Sequence, residues 1–402
     1  MKTKVTFALA GLLSMVTLSN AQTSPPAAAT ANNTFAMDLY ARISHREGNL
    51  CVSPYSISSA LEMASAGAAG QTQQQMLSVL HWTQTPAALP HAAAALASAI
   101  KSGEAKQGGA QIDIANSLFG QQGFPYRQEF LALLSKEYAA PLQTVDFAGH
   151  PRESAEKINH WAAEQTHDRI KQTIDPSSLL PSTRLVLVNA VYFKADWIEK
   201  FEKRATSDKP FFVDGKDSAN VSTMQQTHGF NYFQNDSMQM MEMPYVGGCS
   251  MLVLLPRAHD GLPALENSLT ADSFDTWLKQ MQPQLLRVDL PRFQIEGSFQ
   301  MKGPLAELGM TDAFDPHKAD FSDITTAQKL VIDQVIHKTF IKLDEAGTEA
   351  AAVTAVTAVA ASVMRQKPPE PIVFQADHPF LYVLRHQATG TILFMGRITN
   401  PK

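Results

Sequence analysis

The sequence predicts an α+β fold organised as one large domain, and three observations carry that prediction. Helical signals concentrate in the first half of the chain and strand signals in the second, instead of alternating as βαβ units would. No repeat period is visible, and no Pro/Gly/Ser-rich linker divides the chain beyond its N-terminal region. The composition, 45% hydrophobic and 18% charged over 402 residues, belongs to a packed globular protein and not to a disordered one. Length alone would suggest two or three domains at ~150 residues each; the missing linker argues for one. Lys and Arg number 33 against 38 Asp and Glu, without a long basic run, so nucleic acid is not an expected partner.

Lys2 and Lys4 precede an apolar stretch from Val5 to Leu18, followed by Ser19-Asn20-Ala21. A basic start, a short apolar core and small residues before a cut are the parts of a secretory signal, with cleavage expected after Ala21. The run is shorter than the ~20 residues that span a bilayer, so the mature chain is not expected in a membrane. Residues 1–21 are thus read as a signal peptide, 22–33 as a flexible leader rich in Ala, Pro and Thr, and 34–402 as the folded domain. The protein is expected to be secreted or periplasmic. Cys51 and Cys249 are expected to be two separate buried thiols, although an oxidising compartment would permit pairing. Asn32, Asn220 and Asn235 each begin an Asn-x-Ser/Thr acceptor, which matters only in a host that glycosylates.

Along the chain, Phe35, Leu39 and Ile43 recur at four-residue spacing and predict a helix over 35–46. Asn49 to Val52 reads as a strand, and Ser53-Pro54-Tyr55-Ser56 opens a small-residue helix predicted to run to about Ala69 and stop at Gly70. Gln111 to Phe119 reads as a strand, and 125–138 and 152–168 as helices. The continuous apolar run Arg184 to Phe193 marks a strand covered on both faces. Strand signals then dominate at 238–243, 250–255, 286–290, 332–343, 372–374, 380–386 and 392–398. Helical pieces interrupt at 262–269, 273–281 and 304–308.

Catalytic motifs are mostly missing. There is no G-x-S-x-G elbow, H-E-x-x-H, G-x-G-x-x-G, phosphate loop or C-x-x-C. Ser154 and Lys157 match S-x-x-K, but its companions S-D-N and K-T-G are absent, and a hydrolase reading would stand on this pair alone. Twelve histidines show no ligand spacing, so no metal and no cofactor are expected. Asp312, Asp315, Asp320 and Asp323 lack the Gly and Glu of a calcium loop and read as a solvated turn.

The informative segment is Glu345 to Ser362. Between Glu349 and Arg365 no residue is charged, and none is Pro, Gly or a large aromatic. It is too short to span a membrane and too poor in Gly and Pro for a linker. An Ala-rich helix competes, but Val353, Thr354, Val356, Thr357, Val359 and Val363 are β-branched and lower helix propensity. At period two, Thr348, Ala350, Ala352, Thr354, Val356, Ala358 and Ala360 form a small, uncharged face. A strand with that face can enter an existing sheet without burying charge, and fifteen residues of it would run roughly 50 Å.

The stretch Lys342 to Ala352 resembles the hinge of the serpins, the serine protease inhibitor family. Asn49 to Ile57, Leu187 to Trp197, Val288 to Phe293, Leu305 to Met310, and Ala376 to Phe380 with Phe394 to Arg397 resemble further serpin motifs in the family's order. The resemblance implies a single α+β domain with three β-sheets, about nine helices and an exposed reactive loop at about 345–371. It implies a bait that a protease cleaves, after which the loop inserts into the main sheet and traps the enzyme. By the family's spacing, Glu345, Gly347, Thr348, Glu349, Ala350, Ala351 and Ala352 form the hinge, and the scissile bond falls at Ala361–Ser362. A small residue there suits elastase-like or subtilisin-like targets; Met364 or Arg365 would suit chymotrypsin-like or trypsin-like ones if the register runs longer. Thr348 would be the first side chain into the sheet. Ser53, Ser56, Asn189 and His337 match the polar cluster where that sheet parts, or form a plain buried network. Trp197 matches a tryptophan near the loop's start, or is a core aromatic. No residue is expected to be catalytic. The implied partner is a serine protease, with papain-like cysteine proteases also within the family's range, and the inhibitor is expected to act as a monomer. The competing class is a non-inhibitory serpin acting as a binding protein.

Overall fold

A computed structural model describes residues 25–101, 110–213, 217–327, 329–348 and 370–402. Among them are nine α-helices and fifteen strands. Five helices lie early in the chain, with β1 (Leu50–Val52) and β2 (Gln111–Gln121) among them: α1 (Pro25–Ile43), α2 (Pro54–Ser65), α3 (Gly70–Val79), α4 (Leu89–Lys101) and α5 (Gln128–Glu137). After β3 (Gln143–Val145) comes α6 (Pro151–Gln165), then β4 (Leu185–Asp196), β5 (Ser207–Phe212), β6 (Ser218–Gln234), β7 (Met238–Pro244) and β8 (Cys249–Pro256). The remaining helices are α7 (Leu262–Ser268), α8 (Ala271–Gln280) and α9 (Lys302–Glu307), with β9 (Gln282–Pro291) and β10 (Phe293–Gln300) before the last. The chain closes with β11 (Gln334–Asp344), β12 (Gly347–Thr348), β13 (Ile372–Gln375), β14 (Phe380–His386) and β15 (Ile392–Ile398).

The strands form three sheets. One is six-stranded, in the order β10-β11-β12-β4-β2-β3, with β11 and β4 also paired directly. The other nine strands are one hydrogen-bonded network that divides at the long strand β6. The end of β6 continues through β7, β8, β14, β15 and β1, while its start pairs β5 and the stretch after it pairs β9, which carries β13. β4 is central in its sheet, between β2 and β11, and Leu185 to Phe193 are all buried, which explains its unbroken apolar sequence.

Helix α2 begins with Ser53, whose side chain accepts a hydrogen bond from the Ser56 N–H, and with Pro54 in the first turn, where a missing N–H costs nothing. Small residues let it lie buried against β2, β4 and β15. It ends at Ser65, earlier than the predicted Ala69, and Gly70 opens α3 instead of closing α2.

Residues 25–33 are not a flexible leader. They form the first half of α1, since Pro25 begins it and alanine is the best helix former. Ala28, Ala29, Ala31 and Asn32 are buried, and the Asn32 amide donates to the Ile392 carbonyl at 3.0 Å. The predicted signal peptide, 1–21, lies outside the described residues. Burial also removes Asn32 as a glycan acceptor. Cys51 and Cys249 are both buried, and neither is in a disulfide.

Candidate functional site

β11 leads into the hinge. At its end a turn through Glu345 and Ala346 reverses the chain into β12, which pairs antiparallel with β11 (Leu343 with Thr348, Asp344 with Gly347). Its other edge pairs antiparallel with β4 (Gly347 with Asp196, Thr348 with Ala195). Below this wedge the two long strands close on each other, parallel from Phe340–Tyr192 down to Gln334–Val186. The sheet thus has one seam, open for two residues at one end and shut along the rest.

Thr348 is fully buried, and its hydroxyl shares a 2.7 Å hydrogen bond with that of Tyr245. Burial raises the Tyr245 pKa well above its ordinary value, so the phenol keeps its proton. Gly347 has φ +153°, and a Cβ there would stand 2.0 Å from the Ala195 carbonyl oxygen, so the close approach to β4 requires glycine. Trp197 stacks on Tyr245, with centroids 4.0 Å apart and planes 10° from parallel. Its indole N–H donates to the Asp344 carbonyl (3.1 Å) and its backbone N–H to that of Ala346 (2.9 Å). Trp197 therefore clamps the turn through which the loop leaves the sheet, as well as filling core space.

Glu345 is buried beside this turn. Its carboxylate accepts hydrogen bonds from the Arg292 guanidinium and the Thr206 hydroxyl. Burial pushes the Glu345 carboxyl up, but those hydrogen bonds and the charge of Arg292 more than offset this and hold it below the usual carboxylate range. Glu349, Ala350, Ala351 and Ala352, the bond Ala361–Ser362, and Met364 and Arg365 lie outside the described residues.

Midway down the shut seam, His337 of β11 stands in register with Asn189 of β4, and Asn189 with Asn116 of β2. The Ser53 N–H donates to His337 Nε2 at 3.0 Å, which assigns the proton of the neutral ring to Nδ1. Complete burial lowers the His337 pKa to about 3. Asn116 joins the other members: its Oδ1 accepts from the Ser56 hydroxyl (2.7 Å) and the Asn189 amide (3.0 Å), and its own amide donates to the Ser56 carbonyl (3.0 Å). Ser53 Oγ donates to the Leu393 carbonyl at 2.7 Å. Within this cluster two buried atoms find no hydrogen-bond partner among the described residues: His337 Nδ1 and Asn189 Oδ1.

The four residues predicted as a sheet-parting cluster are therefore together, and Trp197 meets the hinge. Sequence reasoning missed Asn116, Tyr245, Arg292 and Thr206. Asn116 left a signal, a bulky amide within the largely apolar strand stretch Ile114 to Phe119; Arg292 lay inside the Val288 to Phe293 motif without being singled out, and Tyr245 and Thr206 left none. Ser154 and Lys157 do not form a catalytic pair: Ser154 is buried on α6 and Lys157 donates to the Thr144 carbonyl at 3.0 Å.

A family model described as serpin (serine protease inhibitor) matches residues 30–401. The chain belongs to the serpin family. It is 40% identical over 373 residues to a serpin-like protein of Thermococcus kodakarensis, covering 92% of this chain and 85% of that one. It is 38% identical over 382 residues to the leukocyte elastase inhibitor of Sus scrofa, covering 92% and 98%. The crystal structure of a highly specific serpin of the insect Tenebrio molitor superposes with a TM-score of 0.84 at 30% identity, covering 95% of this chain and all of that one. Human thyroxine-binding globulin superposes with a TM-score of 0.83 at 25% identity, covering 94% and 99%. The fold is the serpin fold, and the curated relatives place the chain among protease inhibitors and not among enzymes. Serpin inhibitors act on target proteases, while the globulin is a serpin named for binding a small molecule.

Proposed function

We propose that this serpin is an exported suicide-substrate inhibitor of serine endopeptidases, cleaved at Ala361–Ser362 and trapping the enzyme as the loop inserts between β4 and β11. The observation that carries this reading is the hinge: after Gly347, Thr348, small and uncharged, is the first side chain already held between the two strands, and the seam below it is shut and ready to be filled. Three alanines follow Glu349, and the next charged residue is Arg365, so beyond Glu349 zipping meets no bulky or charged side chain up to the bond. The gross gain from two new ladders of about fifteen residues is on the order of 20 backbone hydrogen bonds at ~1 kcal/mol each. Ordering the loop reduces this. Ala361 fits a narrow apolar primary pocket, and relatives named leukocyte elastase inhibitor favour elastase-like over subtilisin-like targets. The inhibitor is proposed to act as a monomer, with papain-like cysteine proteases as a secondary target class.

The test mixes the purified protein with an elastase and resolves the products on a denaturing gel. An adduct near the sum of the two masses, with a released peptide beginning at Ser362, is the expected result. A peptide beginning after Met364 or Arg365 would move the bond and the target class. Cleavage without an adduct by elastase, subtilisin, trypsin and papain alike would overturn inhibition and favour a binding protein. Export is checked by N-terminal sequencing of the secreted protein, which should begin at Gln22.

A further inference from the structure

Far from the hinge, the connection between β13 and β14 meets the end of β8 and the loop after it. Asp377 and His378 come from the first, His259 from the second. One donor atom from each of the three lies within 4.8 Å of the other two, with His259 Nε2 and His378 Nδ1 both facing Asp377 Oδ1. The cluster is tied to the fold on every side. The backbone N–H of Phe212, at the end of β5, donates to the Asp377 carbonyl at 2.7 Å, and the Phe212 ring stacks on His259 at 4.4 Å.

The orientation of the donors is what separates this cluster from a chance gathering of polar side chains. His378 is buried, and its Nε2 faces the Pro256 carbonyl at 2.8 Å, so Nε2 carries a proton. That leaves the Nδ1 lone pair aimed at Asp377 Oδ1, 2.7 Å away. Two lone pairs this close need a cation between them, either a proton or a metal ion. Asp377 is steadied in turn by the Gln375 amide, which donates to the other carboxylate oxygen at 2.9 Å. A histidine whose far nitrogen is fixed by a carbonyl, beside a hydrogen-bonded carboxylate, is the usual outer-shell arrangement of a metal site. Bonds of ~2.0–2.1 Å to a tetrahedral ion set the donors about 3.3 Å apart. The observed separations, 2.7 Å from His378 to Asp377 and 3.9 Å from Asp377 to His259, bracket that value. The His259 side chain is 41% exposed, which gives an ion a way in and leaves a fourth position for water.

We infer that His259, Asp377 and His378 bind a divalent d-block cation, zinc in the first place. Two imidazole nitrogens and one carboxylate oxygen suit zinc and not calcium or magnesium, which take oxygen ligands. The ion displaces the proton from between Nδ1 and Oδ1 and joins the β8–α7 loop to the segment behind β13. It lies off the six-stranded sheet, so it steadies the anchored end of the reactive loop without touching the seam.

The experiment titrates zinc into the untagged, metal-stripped full chain by calorimetry, with thermal unfolding followed alongside. Cobalt serves as a spectroscopic probe of tetrahedral nitrogen and oxygen coordination. The expected result is one zinc per chain, a zinc-dependent rise in the unfolding midpoint reversed by chelator, and both effects lost in His259→Gln. The affinity of that variant should fall beyond the ~10–100-fold that loss of an outer-shell partner alone brings. His259→Gln keeps a side chain of similar reach on an exposed loop; Asp377→Asn is a second variant expected to weaken binding in the same way. A chain whose midpoint does not respond to zinc, or variants that bind zinc as tightly as the wild type, would overturn the site.

Discussion

Replacing Thr348 with arginine puts a guanidinium where the structure holds a fully buried hydroxyl between two strands. The variant has two ways out. Keeping β12 in place buries a charge without a partner, which costs about 3–5 kcal/mol. Expelling β12 loses its pairings with β4 and β11 and the Tyr245 bond, about four or five hydrogen bonds at ~1 kcal/mol net each. It returns ~1–2 kcal/mol of backbone entropy for each of the two freed residues. Expulsion is the lower route, so the uncleaved variant should lose only about 1–2 kcal/mol of stability. Insertion after cleavage offers no such escape, because position 348 must enter first. A barrier raised by about 3–5 kcal/mol slows zipping roughly 10²- to 5 × 10³-fold. The acyl bond to the protease then hydrolyses before the enzyme is carried away. The assay counts adduct against cleaved inhibitor on a denaturing gel over a range of elastase ratios. Cleavage should persist and the adduct vanish; equal adduct yield from the variant would refute the insertion argument.

Other expectations follow from the same geometry. Gly347→Ala should cost about 1–3 kcal/mol in urea unfolding, since its φ is strained for alanine and its Cβ meets the Ala195 carbonyl. Asn116→Ala should cost about 2–6 kcal/mol, because it strands the Ser56 hydroxyl and the Asn189 amide, at ~1–3 kcal/mol for each buried unpaired group. His337 is held neutral by burial, with a pKa of about 3, while in the unfolded chain it binds a proton near pH 6.5. Its stabilising share is therefore whole above that pH and fades as pH falls toward about 3. Between pH 6 and 4 the wild type should lose ~1.4 kcal/mol per pH unit more than His337→Gln, read from urea midpoints across pH. Matching slopes would show that the ring is not neutral in the folded state.

What the sequence made legible tracks how local each signal is. β4 announced itself because a strand covered on both faces must be apolar nearly throughout. The small-residue helix α2 was visible because close packing leaves a compositional mark. β6 was not, because its seventeen residues pass between two sheets and alternate buried Val221, Met224, Phe230 and Tyr232 with Gln, Thr, Asn and His, which read as loop. α4 hid behind a proline-rich approach and an Ala-rich sequence of ambiguous propensity. The predicted 152–168 helix ended at Gln165, where His167 and Asp168 take left-handed backbone angles that no periodicity reveals. In the site, hinge and cluster residues lie in long recognisable motifs. Their partners were not singled out: Arg292 reaches Glu345 across 53 positions and Asn116 reaches Ser56 across 60, contacts set by tertiary packing and not by local sequence.

That register has one more implication, at the two orphaned atoms on the seam. Thr348 stands opposite Ala195 on one side and Leu343 on the other. An inserted strand that kept both alignments would bring Thr354, six residues on, opposite Asn189 and His337 at once, with its side chain on their face of the sheet. A hydroxyl is one donor and two acceptors. Asn189 Oδ1 needs a donor and His337 Nδ1–H needs an acceptor, so this single residue answers both. The closed sheet would then hold a docking position keyed to one place in the loop, a vernier mark that reports when the strand has slid home in the correct alignment. Thr354→Val preserves shape and removes the hydroxyl; its cleaved form should melt measurably below the cleaved wild type while the uncleaved proteins melt alike. Equal midpoints after cleavage would mean that the alignment is set by the ladders alone.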